Sequence, residues 1–595
     1  MIRAMKQAIV SFALGLTLYG QTPVATAANI DDFFRDFTAQ WVRGNPNLAT
    51  GSRYFTGEEQ DRLERQLTPE TAAYKRERIR LARQGLAELA KFDRSKMSDA
   101  QRLSADVMQG QLDTIVREEP FLDFTFALEQ MNGANIRLVE TMTVRHPVLS
   151  EKDAVNYLAA LGQVSARMEE AVTESRRQAA KGYIPPAFIV AATIKQMQGF
   201  IDGAPAQNPF VTAYAQKLAA ISSLPAARRE ELRVEAEKIT ASQIYPAWKK
   251  AISWLQSEQK RASILAGLWR FTGGSNAYAY FLHRYTTTNL PADQIHQIGL
   301  DQVARIESQM DTLLRRLGRT AGPVKERIAK LAEDMRYPNP TSEASRTQIM
   351  QDIEKILRDA EARSALLFDT RPKSPVVAQP FPSFREANAA ANYNSPAPDG
   401  SRPGTFQFPR RPEMMTRFGL RSIVYHETVP GHHFQIALQV ENKDLPRFRQ
   451  IGAFGNISAL VEGWGLYAER LAAESGWYGD DVEGLLGQLN YELFRARRLV
   501  VDTGIHSKKW TRQQGIDYGI EASEVERYVV FPGQACSYMM GELKILELRD
   551  KARMALGDKF SLREFHNVVL QTGTVPLDIL ERQVDAWIRA QGGKV

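Results

Sequence analysis

The chain has 595 residues, of which 44% are hydrophobic and 24% charged, with a formal charge of +7 and a single cysteine. A chain of that length can bury a large core without covalent staples, and one thiol rules out an intrachain disulfide. So small a charge excess over so long a chain leaves no footprint for nucleic acid, and no stretch beyond the leader approaches the roughly 20 apolar residues of a membrane span.

The amino terminus reads as a secretory leader. Arg3 and Lys6 precede an apolar run from Ala8 to Tyr19, and Ala25-Thr26-Ala27-Ala28 then supplies the small residues of a cleavage site. Residues 1–27 are therefore expected to be a signal peptide, with no cysteine there to accept a lipid, and the protein to be periplasmic or secreted. Beyond it the chain reads as helix, with apolar residues at three- and four-residue intervals. Val303, Ile306, Met310, Leu313 and Leu317 form such a stripe, and others run over Leu81–Leu89, Tyr157–Met168 and Ala213–Ile221. All are read as core. A mainly α protein is expected, with an N-terminal helical lobe over 28–260 and a catalytic lobe over 261–595.

The helical pattern fails between Arg371 and Pro412, where Pro372, Pro375, Pro380, Pro382, Pro396, Pro398 and Pro403 forbid one continuous helix. Its short runs Ser374–Gln379 and Gly404–Phe408 are read as strands of a small sheet flanking a cleft.

Immediately afterwards comes the chemistry. Three of the chain's eight histidines fall in His426-Glu427-Thr428-Val429-Pro430-Gly431-His432-His433. In the helical zinc motif H-E-x-x-H, two histidines one turn apart face the same way and the glutamate between them acts on water. Here the position four after His426 is Pro430. On an ideal helix His426 and His432 would lie about 120° apart, and His433 about 10 Å further along the axis than His426. Neither pair could grip one ion. Pro430 denies His426 its helical hydrogen bond and Gly431 permits unusual backbone, so a break or bulge is expected between the two ligands. The shorter insertion favours His432 as the second ligand, with His433 as the alternative or as a contact behind the metal or with substrate.

A third ligand is sought on the next helix, in Ser458-Ala459-Leu460-Val461-Glu462-Gly463-Trp464-Gly465-Leu466-Tyr467-Ala468-Glu469. Glu462 sits among apolar residues, and a buried carboxylate needs a partner such as a metal. Glu469, seven residues on and on the same face, suits a carboxylate that orients a ligating histidine. Glu427 would then be the general base, with Zn2+ as the expected ion.

These motifs, together with Asp399-Gly400-Ser401-Arg402-Pro403-Gly404, Asp502-Thr503-Gly504-Ile505-His506 and Pro532-Gly533-Gln534-Ala535-Cys536-Ser537-Tyr538, resemble the large bacterial family catalogued as domain of unknown function 885. That family looks like a distant relative of the gluzincin peptidases, helical ellipsoids with a deep channel. The resemblance implies zinc ligands His426, His432 and Glu462, Glu427 as base, and Tyr538 as a donor to the tetrahedral oxyanion. Arg498, His506, Arg527 and Tyr528 become candidates for holding a peptide terminus or side chain, and His566 for reaching the cleft, although a packing role is open to each. The function implied is an exported zinc peptidase acting on short peptides. A zinc amidohydrolase acting on another amide would use the same residues, and a non-catalytic binding protein would result if the expanded motif held no metal.

Overall fold

The computed structural model describes residues 29–338, 342–381, 391–397, 400, 402–410 and 416–594, so the expected signal peptide lies outside the described residues. The architecture is mainly helical with one small sheet. No helix among the described residues is long and apolar enough to cross a membrane.

The expected stripes are buried as helix faces. Ile306 and Met310 lie in the core from helix Ala292–Arg316, which packs along the long helix Val482–His506. The stretch Tyr157–Met168 differs from expectation, being two helices, Glu151–Leu161 and Val164–Ala180, separated at Gly162-Gln163. Its stripe continues through the break because both helices face one core. That core is built from residues between Leu67 and Leu255 and belongs to the N-terminal half.

The first helices go elsewhere. Helices α1 (Ile30–Arg43), α2 (Ala72–Leu89) and α3 (Asp99–Arg117) join the core around the histidine motif. Phe34 packs on Phe448 with ring centroids 5.5 Å apart, and the Trp41 indole donates to the carbonyl of Ala453 at 2.9 Å. The core is therefore not divided at residue 260. The N-terminal helices brace the C-terminal part directly.

The sheet comprises β1 (Val376–Pro380), β2 (Asn392–Asn394) and β3 (Gly404–Phe408) in the order β1-β3-β2, with β1 parallel and β2 antiparallel to β3. The runs that form β1 and β3 were legible from their flanking prolines and glycines. The three-residue β2 is too short to carry an alternation signal. Four helices then frame the motif: α4 (Arg417–Glu427), α5 (His432–Glu441), α6 (Ser458–Glu474) and α7 (Val482–His506). Behind them lie α8 (Ala522–Val530), α9 (Ser537–Leu556) and α10 (Leu562–Thr572). Helices α6 and α9 cross backbone to backbone, since a methyl added at Gly463 would stand 2.4 Å from the carbonyl carbon of Gly541.

Candidate metal centre

The chain breaks rather than bulges between the histidines. Helix α4 ends at Glu427, a linker of Thr428, Val429, Pro430 and Gly431 follows with a cis Val429–Pro430 peptide, and α5 starts at His432. Gly431 is required by close approach, because a side chain there would meet the His426 carbonyl oxygen at 2.0 Å. Trp464 on α6 pins the linker, its indole N–H donating to the carbonyl of Pro430 at 2.9 Å and of Gly431 at 3.2 Å. Ending one helix and starting another turns His432 back toward His426, so that their ring centroids lie 4.6 Å apart.

Glu462 faces both rings. Its Oε2 lies 3.6 Å from Nε2 of His426 and 3.5 Å from Nε2 of His432. A tetrahedral zinc with bonds of about 2.1 Å sets its ligand atoms about 3.4 Å apart, so Oε2 of Glu462 stands at about the spacing of a fellow ligand from each ring nitrogen. Glu427 brings an oxygen within 4.8 Å of a ring nitrogen of each histidine. The roles of the two carboxylates divide by position: Glu462 bridges both Nε2 atoms, while Glu427 extends from the last residue of α4 beside them. Glu462 keeps about a fifth of its side chain exposed, at 21%, so its approach to the imidazoles, and not full burial, makes it a candidate ligand.

Glu469 holds the other nitrogen of His426, with Oε1 2.8 Å from Nδ1. The seven-residue spacing of Glu462 and Glu469 thus places both carboxylates on one ring, one at each nitrogen. Gly465 lies between them, and a methyl there would stand 2.5 Å from Cε1 of His426, so only glycine lets the ring lie flat on α6. Sequence reasoning missed Gly465; its signal was a small residue midway between two carboxylates on one helical face. Nδ1 of His432 is buried with no partner.

Burial alone would lower the His426 imidazolium, but hydrogen bonds to Glu462 and Glu469 outweigh it and hold the group at about 10. Burial would likewise raise the Glu462 carboxyl, yet the two histidines bring it well below the usual carboxylate range. Glu427 moves the other way: burial pushes its carboxyl up, against the opposing pull of His432 and His426.

His433 points away. Its Nδ1 lies 3.0 Å from the hydroxyl of Tyr393 on β2, and burial lowers its pKa to about 4, so it ties α5 to the sheet. Glu441 at the far end of α5 reinforces this, accepting from the backbone N–H of Ser374 at 2.8 Å.

Two other candidates are fully engaged by the fold. His506 accepts from the N–H of Leu268 at 3.1 Å through Nδ1, and its Nε2 donates to the carbonyl of Tyr528 at 2.9 Å. It stands eleven positions after Arg495 on α7, about 16 Å along the axis, and borders a cavity of about 520 Å³ that also includes Arg117, Asn276 and His283. His566 donates from Nδ1 to the carbonyl of Leu367 and accepts from the Tyr467 hydroxyl at Nε2, stacked on Phe368. Neither has a nitrogen left for substrate, so packing accounts for both. Cys536 is fully buried, as expected of a small core residue.

Tyr538, Arg498, Arg527 and Tyr528 do assemble. The Arg498 guanidinium lies 4.5 Å from the Tyr538 ring centroid and 6.0 Å from that of Tyr528, and its Nη2 donates to Glu524 at 2.8 Å. Arg527 also reaches Glu524, at 3.2 Å. The run Arg495-Ala496-Arg497-Arg498 looks in sequence like a charged helix face, but only Arg497 behaves so, pairing with Glu307. Arg495 is 8% and Arg498 6% exposed, both turned inward. Nη2 of Arg495 stands 3.9 Å from Glu469, which links this group to the histidine cluster.

Residues 46–584 match the model of a family described as bacterial protein of unknown function (DUF885). The chain is also similar to a solved structure from Colwellia psychrerythraea described as a lipoprotein, with 32% identity and a TM-score of 0.89 over 96% of this chain and all of that one. A second, from Shewanella oneidensis and described as a lipoprotein of unknown function, shares the fold at 17% identity and a TM-score of 0.67, covering 93% of this chain and 99% of that one. No curated protein matches.

Proposed function

The chain belongs to the bacterial family of unknown function DUF885, and from the site it carries we propose that it is an exported, zinc-dependent peptidase acting on short peptides. The observation that carries this reading is the approach of Oε2 of Glu462 to Nε2 of both His426 and His432, at 3.6 and 3.5 Å, with a Glu427 oxygen within 4.8 Å of a ring nitrogen of each histidine. Export is supported by the leader pattern and by the lipoprotein descriptions of both solved relatives.

The residues fit a divalent ion: two imidazoles, which would give up their protons to bind a cation, and one carboxylate make the three-ligand set of a catalytic zinc site. When bound, zinc supplies Lewis acidity that polarises a substrate carbonyl and makes a water acidic at neutral pH. Glu427 takes the proton from the attacking water and hands it to the leaving amine. Its burial, which pushes the carboxyl above its ordinary range, suits a group that must both accept and return a proton. Glu469 fixes the ring of His426 from Nδ1 so that Nε2 faces the site. Tyr538 donates its hydroxyl to the oxyanion.

Metal analysis and a peptide-library digest read by mass spectrometry test the proposal together. Purified protein is expected to hold about one zinc per chain and to cleave peptides. Glu427→Gln should keep the metal and lose about 10³-fold or more in turnover. A folded protein that neither holds nor takes up zinc would remove the reading, and near-normal turnover by Glu427→Gln would remove its base.

A further inference from the structure

The two histidines at the centre differ in what their far nitrogens meet. Nδ1 of His426 lies 2.8 Å from Oε1 of Glu469, whereas Nδ1 of His432 is buried with no hydrogen-bond partner among the described residues. An imidazole that gives Nε2 to a metal carries its proton on Nδ1, which then becomes a buried donor, costly to leave unpaired. Histidines that bind metal almost always give this proton to a carboxylate, a carbonyl or water, and the bond fixes the ring.

Gln435 offers such an acceptor from the same helix. It is buried three residues after His432 on α5, and its Oε1 is likewise without a partner. Residues three apart on a helix are neighbours, with Cβ atoms about 5–6 Å apart, and a helical side chain leans toward the amino terminus, so Gln435 covers the turn that His432 begins. Both side chains also reach the same helix. Nε2 of His432 approaches Glu462 at 3.5 Å, and Nε2 of Gln435 donates to the carbonyl of Leu460, two residues earlier on α6. They therefore lie side by side between α5 and α6. The Leu460 bond is 3.5 Å long, at the outer limit for a hydrogen bond, so the amide is loosely held and can swing toward His432 at small cost.

We propose that Gln435 is the positioning residue of His432: when Nε2 of His432 takes the metal, Oε1 of Gln435 accepts the proton on Nδ1 and holds the ring toward α6. The two imidazoles are then held by unlike acceptors, His426 by a carboxylate and His432 by a neutral amide. An amide fixes the ring without adding negative charge, which leaves the ion more Lewis-acidic than two carboxylates would. The inference rests on the metal reading of the site, but metal affinity can be measured apart from turnover.

The test compares full-length Gln435→Met and Gln435→Glu with the unsubstituted protein in zinc titrations against a competing chelator. Methionine fills the same unbranched space without an acceptor and should weaken zinc binding by about 10-fold. Glutamate keeps the acceptor but cannot donate to Leu460, and should hold zinc at least as tightly as glutamine does. Were Gln435 only a tie between α5 and α6, the two variants would lose affinity alike. Such equal losses, or unchanged affinity in Gln435→Met, would overturn the proposal. A tenfold loss in Gln435→Glu would do so by itself, even if Gln435→Met failed to fold. The two readings also fail separately. Unsubstituted protein that takes up no zinc removes the metal centre together with the role of Gln435, whereas zinc held with the expected order of affinities but no peptide cleavage removes the peptidase and leaves Gln435 in its place.

Discussion

The histidines at the two ends of the C-terminal region are equally buried and do opposite things. His426 has a carboxylate at each nitrogen, and its imidazolium is held up at about 10 against the effect of burial. His506 and His566 have neutral backbone or hydroxyl partners at both nitrogens, and burial lowers each to about 4. Burial therefore does not distinguish a candidate ligand from a structural histidine. What distinguishes them is whether the ring is paired with charge, and whether a nitrogen faces a shared point.

The sharpest way to break that contrast is to remove one ring from each class. His432→Ala should weaken zinc binding by roughly a thousandfold, as expected when one of three protein ligands is lost, while His433→Ala should leave metal content unchanged. Competition titration with a zinc chelator would show it, and equal losses from the two variants would mean that the ligand assignment is wrong. His506→Ala should keep full metal content and lose about 3 kcal/mol of stability, because it orphans the N–H of Leu268 and the carbonyl of Tyr528 and leaves a cavity. Urea denaturation of the metal-free protein measures this, and a variant of unchanged stability would refute the packing role.

A smaller effect is expected at the carboxylate that orients the ring. Glu469→Gln should reduce zinc affinity by about 10- to 100-fold while the ligands stay in place. A loss as large as that of His432→Ala would instead make Glu469 a ligand. A separate effect is on pH dependence. His506 and His566 have folded values near 4, below the ordinary 6.5, so the unfolded chain binds more protons between those limits. Their contribution is complete above pH 6.5 and is lost as pH falls toward 4, by up to about 3 kcal/mol for each. Denaturant midpoints of the metal-free protein at pH 7 and pH 5 should therefore fall, and by less in His506→Ala.

Much of the candidate site could be read from the chain because its motifs are local. The expanded His-Glu-His motif demanded a helix break, since Pro430 and Gly431 cannot continue α4, and the seven-residue spacing of Glu462 and Glu469 put both on one face of α6. Those are statements about one helix or one turn, which sequence periodicity encodes. The choice between His432 and His433 was not of that kind. It depended on how α5 leaves the linker and on the Trp464 indole that holds the linker in place, a contact between segments 33 and 34 residues apart.

The arginines show the same limit. In sequence Arg495, Arg497 and Arg498 form one charged cluster; in the fold Arg497 pairs at the surface with Glu307, while the other two turn inward among Phe494, Tyr538 and Glu524. Likewise the N-terminal helices read as a separate lobe, yet Phe34 and Trp41 pack beside the C-terminal core. The sequence by itself determined the helical class, the scarce-histidine motif and the spacing of its carboxylates, because periodicity and backbone constraint act over a few residues. Only the tertiary structure decided which histidine meets His426, why position 465 is glycine and which of the three arginines turn inward. Those answers depend on distances between helices, which no local pattern specifies.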